Sequence, residues 1–168
     1  MPKLTKEQFL ERLSGIKLLS LDTDGVLTDG GLYYTDDGEE LRKFNVKDGL
    51  GIQRVQAAGV KVAIITASST PSIAHRGRRL GVDYVFLDCE DKLATLVRIC
   101  DEMGIDLNQV GHVGDDLNDL AVFGAVGCPM AVADATDEAL TSVLFVTKKK
   151  GGDGAVREIC DLIVSIQG

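Results

Sequence analysis

Short apolar runs that alternate with helical segments constrain this chain more than any other feature. A helical stretch over Asp48–Ala58 is closed by Gly59. Then come an apolar run Lys61–Thr66, a helix Pro71–Leu80 closed by Gly81, a strand Asp83–Leu87 and a helix Lys92–Met103 closed by Gly104. The rhythm continues through a strand Gln109–Val113, a helix Leu117–Phe123, a strand Val126–Val132, a short helix Asp137–Leu140, a strand Leu144–Val146 and a helix Gly154–Ile166. Glycine just past a helical segment is the usual stop signal. Strands that are apolar throughout are buried on both faces, and with helices between them they predict an α/β fold, a doubly wound parallel sheet of Rossmann-like form. Before this series, Leu4–Leu13 reads as an amphipathic helix capped by Thr5, and Ile16–Leu21 as the first strand. The segment Gly31–Phe44 breaks the rhythm: aromatic and β-branched residues flank Asp37-Gly38, which predicts an inserted β-hairpin. The 168 residues fit one domain, with too little chain between strands for a large cap domain.

Charge and composition narrow the function. A net charge of −8 argues against nucleic acid or an anionic membrane as partner, and an anionic ligand would need a local cluster of cations. No apolar run approaches a membrane span, and the charged segment Met1–Ser14 lacks an apolar signal core, so a cytoplasmic location is expected. Cys89, Cys100, Cys128 and Cys160 are far apart and have only His75 and His112 as further zinc-type donors, so they read as small buried side chains.

The chemistry is concentrated at strand ends. The first apolar strand runs into Asp22-Thr23-Asp24-Gly25. Ligands and catalytic groups collect at the carboxyl ends of parallel strands. Two acids there repel unless a cation joins them, and with a divalent metal present one carboxylate can attack a phosphoryl group while the other moves protons. The same residues also suit an acidic turn that caps a helix. Thr66 ends the next strand, as a phosphate donor or a helix cap. Lys92 opens a helix, as a cation for a phosphate or a solvated surface lysine. Gly114-Asp115-Asp116, with Asp119, forms a second acid cluster at a strand end. Two such clusters around one crevice suit magnesium, although a helix dipole also favours acids in a first turn.

The order acid pair, threonine, lysine, acid pair resembles the haloacid dehalogenase-like superfamily of phosphotransferases. Asp22–Gly31, Gly38–Gly51, Val113–Asp119 and Gly151–Asp161 are further similar to the 3-deoxy-D-manno-octulosonate 8-phosphate phosphatase family. The resemblance implies a magnesium-dependent phosphatase of small sugar phosphates. Asp22 would be the nucleophile and Asp24 the general acid/base; Thr66 and Lys92 would hold the phosphate. Magnesium would be bound by the Asp22 carboxylate, the Asp24 main-chain carbonyl and Asp115. Asn45, Val46, Lys47, Asp48 and Gly49 match the family's substrate-binding stretch, Arg76 matches a basic substrate contact, and the Gly151–Gly154 loop would lie near the substrate. The family forms homotetramers whose hairpins build a central barrel.

One departure bears on the substrate. The family carries Gly-Arg after the motif-two threonine; this chain has Ala67-Ser68, and the serine lacks arginine's charge and fork of donors. A nine-carbon ulosonate 9-phosphate is therefore an alternative to the octulosonate phosphate. Two other classes stay open: a phosphorylated receiver domain, in which the acids, threonine and lysine come in another order, and a catalytically silent assembly module.

Overall fold

The computed structural model describes residues 5–168; Leu4, the expected start of the first helix, lies outside the described residues. Helix α1 (Lys6–Ser14) begins at Thr5, whose hydroxyl accepts from the Gln8 amide while the Gln8 side chain accepts from the Thr5 amide. This reciprocal capping satisfies two backbone donors that a helix start leaves open. Strand β1 (Leu18–Leu21) is buried along its whole length. The hairpin follows as β2 (Tyr33–Tyr34) and β3 (Glu40–Leu41), a separate antiparallel pair with Gly38 in the turn at φ 82°.

From there the chain alternates as its apolar pattern predicts: α2 (Val46–Ala57), β4 (Lys61–Ile65), α3 (Pro71–Leu80), β5 (Tyr84–Phe86), α4 (Lys92–Met103), β6 (Val110–Gly114), α5 (Leu120–Phe123), β7 (Cys128–Ala131), α6 (Asp137–Thr141), β8 (Phe145–Val146) and α7 (Ala155–Gln167). The sequence places the start of α2 at Asp48, but the helix begins two residues earlier because the Asn45 side chain caps it by accepting from the Lys47 amide. The expected helix Leu117–Phe123 divides into a 3-10 turn, Leu117–Asp119, and one α turn. Its first residues follow the demands of the acidic loop rather than helical pairing.

The strands form one parallel sheet in the order β5-β4-β1-β6-β7-β8. Helices cover both faces: α2, α7 and α1 share one core with Leu19, Leu21 and Ile64, while α4 and α5 pack on the other with Leu18, Ile65 and Val110. Central β1 pairs Leu21 with Ile64 of β4 and with Val113 of β6. This register brings the residues after β1, β4 and β6 to the same edge of the sheet. Among the described residues no segment between strands builds a cap domain; the short hairpin is the only β insertion outside the main sheet.

Candidate active site

Asp22 leaves β1 at the bottom of a cleft of about 450 Å³ lined by Asp24, Thr66, Ser68, Asp115 and Asp116. Its backbone stays in the ladder, with the amide donating to Val113, while its carboxylate turns up from the strand end. One oxygen, Oδ1, accepts from the Thr23 amide at 2.6 Å; the other lies 2.9 Å from Lys92 Nζ. The loop then folds back on itself: the amides of Val26, Leu27 and Thr28 all donate to the Thr23 carbonyl.

Lys92 is the first residue of α4, just after its cap Asp91, which accepts from the Ala94 amide. This position sends the side chain back under the strand ends, where it is buried against Asp22 and Asp119. The preceding loop is fixed to the β4 end, because Asp88 and Cys89 donate their amides to the carbonyls of Ser68 and Thr66. This ties the loop that leads into Lys92 to the strand end that carries Thr66.

Asp119 is the hub beneath the cleft. Its Oδ1 accepts from Lys92 Nζ at 2.7 Å and faces His112 Nε2 at 3.0 Å, and its Oδ2 accepts from the Asp115 amide at 3.0 Å. The other His112 nitrogen, Nδ1, sits 3.0 Å from Ser20 Oγ. Gly114 makes this convergence possible, since a side chain there would collide with the Asp119 carboxylate. Burial would raise the pKa of Asp119, but the contacts with His112 and Lys92 outweigh it and hold the acid well below the ordinary carboxylate range. Asp22 moves the other way, to about 6, because burial and the charge of Asp119 outweigh Lys92. Asp115 is pushed up to about 7 by burial and then by Asp22 and Asp119. Lys92 is raised, its two carboxylate neighbours overcoming the cost of burial.

Three carboxylates thus share one lysine, an excess of negative charge that a cation relieves. Asp22, Asp115 and Asp119 each offer an oxygen, all within 4.8 Å of one another. Asp119 is engaged through both oxygens beneath the cleft, whereas Asp22 and Asp115 line it, which makes these two the carboxylates placed to turn toward a metal. Gly25 adds the cradle: it adopts φ 82°, and a Cβ there would run into the Asp115 carboxylate. The donor set is all oxygen, as magnesium prefers.

Asp24 sits above Asp22 in an unforeseen environment. Arg42, just after β3 in the hairpin's second limb, donates Nε to Asp24 Oδ1 at 2.6 Å and Nη2 to Asp24 Oδ2 at 3.3 Å. The same guanidinium reaches Glu40 and, through Nη2, Ser68 Oγ at 3.4 Å. Glu40 in turn accepts from the Thr70 and Tyr34 hydroxyls, and these bonds with Arg42 hold it well below the ordinary carboxylate range.

The cleft gathers Asp22, Asp24, Thr66, Ser68 and Asp115 of the residues named from sequence, with Lys92 beneath them. It does not gather the α2 stretch. Asn45 caps α2 and donates to the Gly152 carbonyl. Asp48 is buried and accepts from the Arg157 amide at the start of α7, and Gly49 packs against Arg76. Val46 and Lys47 face outward. Arg76 donates to the Asn45 carbonyl and lies over the Phe44 ring. The Gly151–Gly154 loop packs behind the catalytic loop, with the Gly152 amide donating to the Val26 carbonyl. Sequence reasoning noted Asp119 without a role, considered His112 only as a metal donor and passed over Arg42. The spacing of Asp119 from Asp115 was the available signal for the hub; nothing local announced Arg42.

A parallel sheet with a buried aspartate at the first strand end, a second acid two residues on, and a lysine and acid pair at neighbouring strand ends defines a haloacid dehalogenase-like hydrolase. The sequence pattern of that family, described as haloacid dehalogenase-like hydrolase, matches residues 88–159. The chain is 40% identical over 161 residues to the 3-deoxy-D-manno-octulosonate 8-phosphate phosphatase of Yersinia pestis, covering 96% of this chain and 86% of that protein. The fold matches a probable yrbi family phosphatase from Pseudomonas syringae with a TM-score of 0.94 and 42% identity over 97% of this chain and 93% of that one. It matches equally well, with a TM-score of 0.94 and 35% identity over 97% of this chain and 94% of that one, the Moraxella catarrhalis 3-deoxy-D-manno-octulosonate 8-phosphate phosphatase, whose structure holds a magnesium ion, a phosphate ion and KDO. The chain belongs to the 3-deoxy-D-manno-octulosonate 8-phosphate phosphatase family and is a phosphatase.

Proposed function

We propose that the whole chain acts as one magnesium-dependent phosphomonoesterase domain whose substrate is 3-deoxy-D-manno-octulosonate 8-phosphate, in the cytoplasm and as a homotetramer. The observation that carries this reading is the buried Asp22 carboxylate, held by Lys92 on the floor of an open acidic cleft. Asp22 attacks the phosphorus and the ester oxygen departs with a proton from Asp24, leaving an aspartyl-phosphate on Asp22. Asp24 then takes a proton from water as the water attacks that phosphorus, and inorganic phosphate leaves. Thr66 accepts from the Ser68 amide at 3.2 Å, which orients its hydroxyl so that its own hydrogen is available to a phosphoryl oxygen. Lys92 offsets charge on Asp22 and on the phosphoryl group together. Asp22, Asp115 and the Asp24 carbonyl would hold magnesium, whose charge makes room for a dianion among these acids.

The hairpin supports the assembly. Leu32, Tyr33, Tyr34 and Leu41 are exposed, and so are Val46 and Leu50 on the adjoining helix. Phe44, at the end of the same segment, packs against the chain's own core. An apolar ribbon of this kind fits contact with other copies of the chain.

A second reading, a nine-carbon ulosonate 9-phosphate, is favoured by Ser68 in the place of the family's arginine. Phosphate release from both sugars, with magnesium and with a chelator, tests the proposal. Faster release from the octulosonate phosphate, abolished by chelation, is expected. Release from neither sugar would overturn it, and a preference for the nine-carbon phosphate would transfer it to the second reading.

A further inference from the structure

Behind the cleft lining, paired with Asp24, lies a cation that the reaction as described does not use. The Arg42 side chain is only 3% exposed, and its fork is spent on Asp24. That is a costly arrangement for a general acid/base, because a carboxylate gripped through both oxygens cannot turn toward the scissile oxygen. One arm is also poorly used: Nη1 lies 2.5 Å from Glu40 Oε1 but out of line for a hydrogen bond, and it has no other partner among the described residues.

The position of this cation matters as much as its bonding. The residues that line the cleft include no lysine or arginine, and four of them are aspartates. Lys92 beneath the floor is committed to Asp22 and Asp119, and Arg76 is committed to Asn45 and Phe44. Arg42 Nη2 reaches Ser68 Oγ, so the guanidinium occupies the space beside residue 68 where the motif-two loop itself carries no charge.

We propose that Arg42, a hairpin residue, is the specificity determinant that reads the carboxylate of an acidic sugar phosphate, exchanging Asp24 for the substrate's carboxylate when the substrate binds. The exchange conserves the ion pair: one carboxylate replaces another on the same fork. It leaves Asp24 free to turn toward the scissile ester. A phosphomonoester without a second anionic group leaves Arg42 on Asp24 and is a poorer substrate. The claim rests on the phosphatase reading above and adds the group that selects the sugar.

The test compares kcat/KM for 3-deoxy-D-manno-octulosonate 8-phosphate and for a neutral sugar phosphate, arabinose 5-phosphate, in the wild type, Arg42→Gln, Arg42→Lys and the double variant Arg42→Gln/Ser68→Arg. The ratio between the two substrates is the readout, so any loss common to both through Asp24 cancels. Arg42→Gln should lower the ratio by roughly 10- to 100-fold, the range of a charged hydrogen bond, and Arg42→Lys should lower it less, since it keeps charge but loses the fork. The double variant should regain part of the preference by supplying the cation from position 68. If Arg42→Gln fails to fold, Arg42→Lys decides: a several-fold fall in the ratio supports the proposal. A ratio unchanged in the folded Arg42 variants overturns it and leaves Arg42 as a positioning residue for Asp24. Wild-type hydrolysis of neither phosphate would overturn the octulosonate-phosphate substrate reading itself, which is a separate outcome.

Discussion

Lys92 Nζ stands 2.9 Å from Asp22 Oδ2 and 2.7 Å from Asp119 Oδ1, so one buried lysine bridges the proposed nucleophile and the hub below it. The arrangement fixes the site from beneath while leaving its upper side open. It also makes the two carboxylates unequal, because Asp119 collects three partners and Asp22 only two.

Removing the lysine should damage stability and activity together. Lys92→Met leaves two buried carboxylates without their cation, which costs about 3–5 kcal/mol when one partner of a buried pair is lost. Turnover should fall by at least roughly a hundredfold, the scale of a lost charge-stabilising donor. Denaturant unfolding and phosphate release measure the two effects; normal stability would contradict the pairing.

Removing the proposed nucleophile should separate the two effects. Asp22→Asn should cut turnover by about a thousandfold or more, equivalent to about 4 kcal/mol of barrier. In the metal-free protein near neutral pH it should also raise Tm, because ionised Asp22 is disfavoured by burial and by Asp119. A variant that loses activity and melts earlier would contradict the charge excess.

The pH dependence follows from the same excess. The folded values of Asp22, about 6, and Asp115, about 7, lie above the ordinary carboxylate value of about 4. The folded state then binds more protons than the unfolded chain across that window, so stability of the metal-free protein falls as pH rises from about 4 to about 7. Asp48 shifts in the same direction through burial, whereas Asp119 and Glu40 titrate below the window. Magnesium should raise Tm more at pH 7.5 than at pH 5, where protons compete for the same oxygens. A melting series with and without magnesium checks this; a pH-independent effect of the metal would contradict it.

Charging the hairpin should dissociate the assembly. Tyr34→Glu with Leu41→Glu places two charges on the exposed apolar ribbon. Light scattering at micromolar concentration should show a tetramer for the wild type and smaller species for the double variant. A monomeric wild type would remove the basis for the hairpin's proposed role.

What the sequence could and could not show divides along the sheet. The strands and most helix ends near the cleft were legible, because apolar runs, glycine stops and strand-end acids are local signals; the division of Leu117–Phe123 and the start of α2 were not. Helices α3 and α4 run from Pro71 to Leu80 and from Lys92 to Met103, the limits expected from proline, glycine and periodicity. The hub was not legible: His112 meets Ser20 across 92 residues of chain, and Arg42 meets Asp24 and Ser68 only because the hairpin folds over the cleft. The contacts of the α2 stretch were not legible for the same reason. Asp48 reads as a polar residue near a site, but its carboxylate satisfies the start of α7 more than a hundred residues later.

The central claim is that Asp22 carries the phosphoryl group. Acid-quenched turnover of the octulosonate phosphate with magnesium, followed by peptide mass measurement, tests it most directly. The peptide containing Asp22 should gain the mass of one phosphoryl group in the wild type and not in Asp22→Asn. Steady phosphate release with no phosphorylated peptide captured, or the added mass on any other residue, would contradict the account.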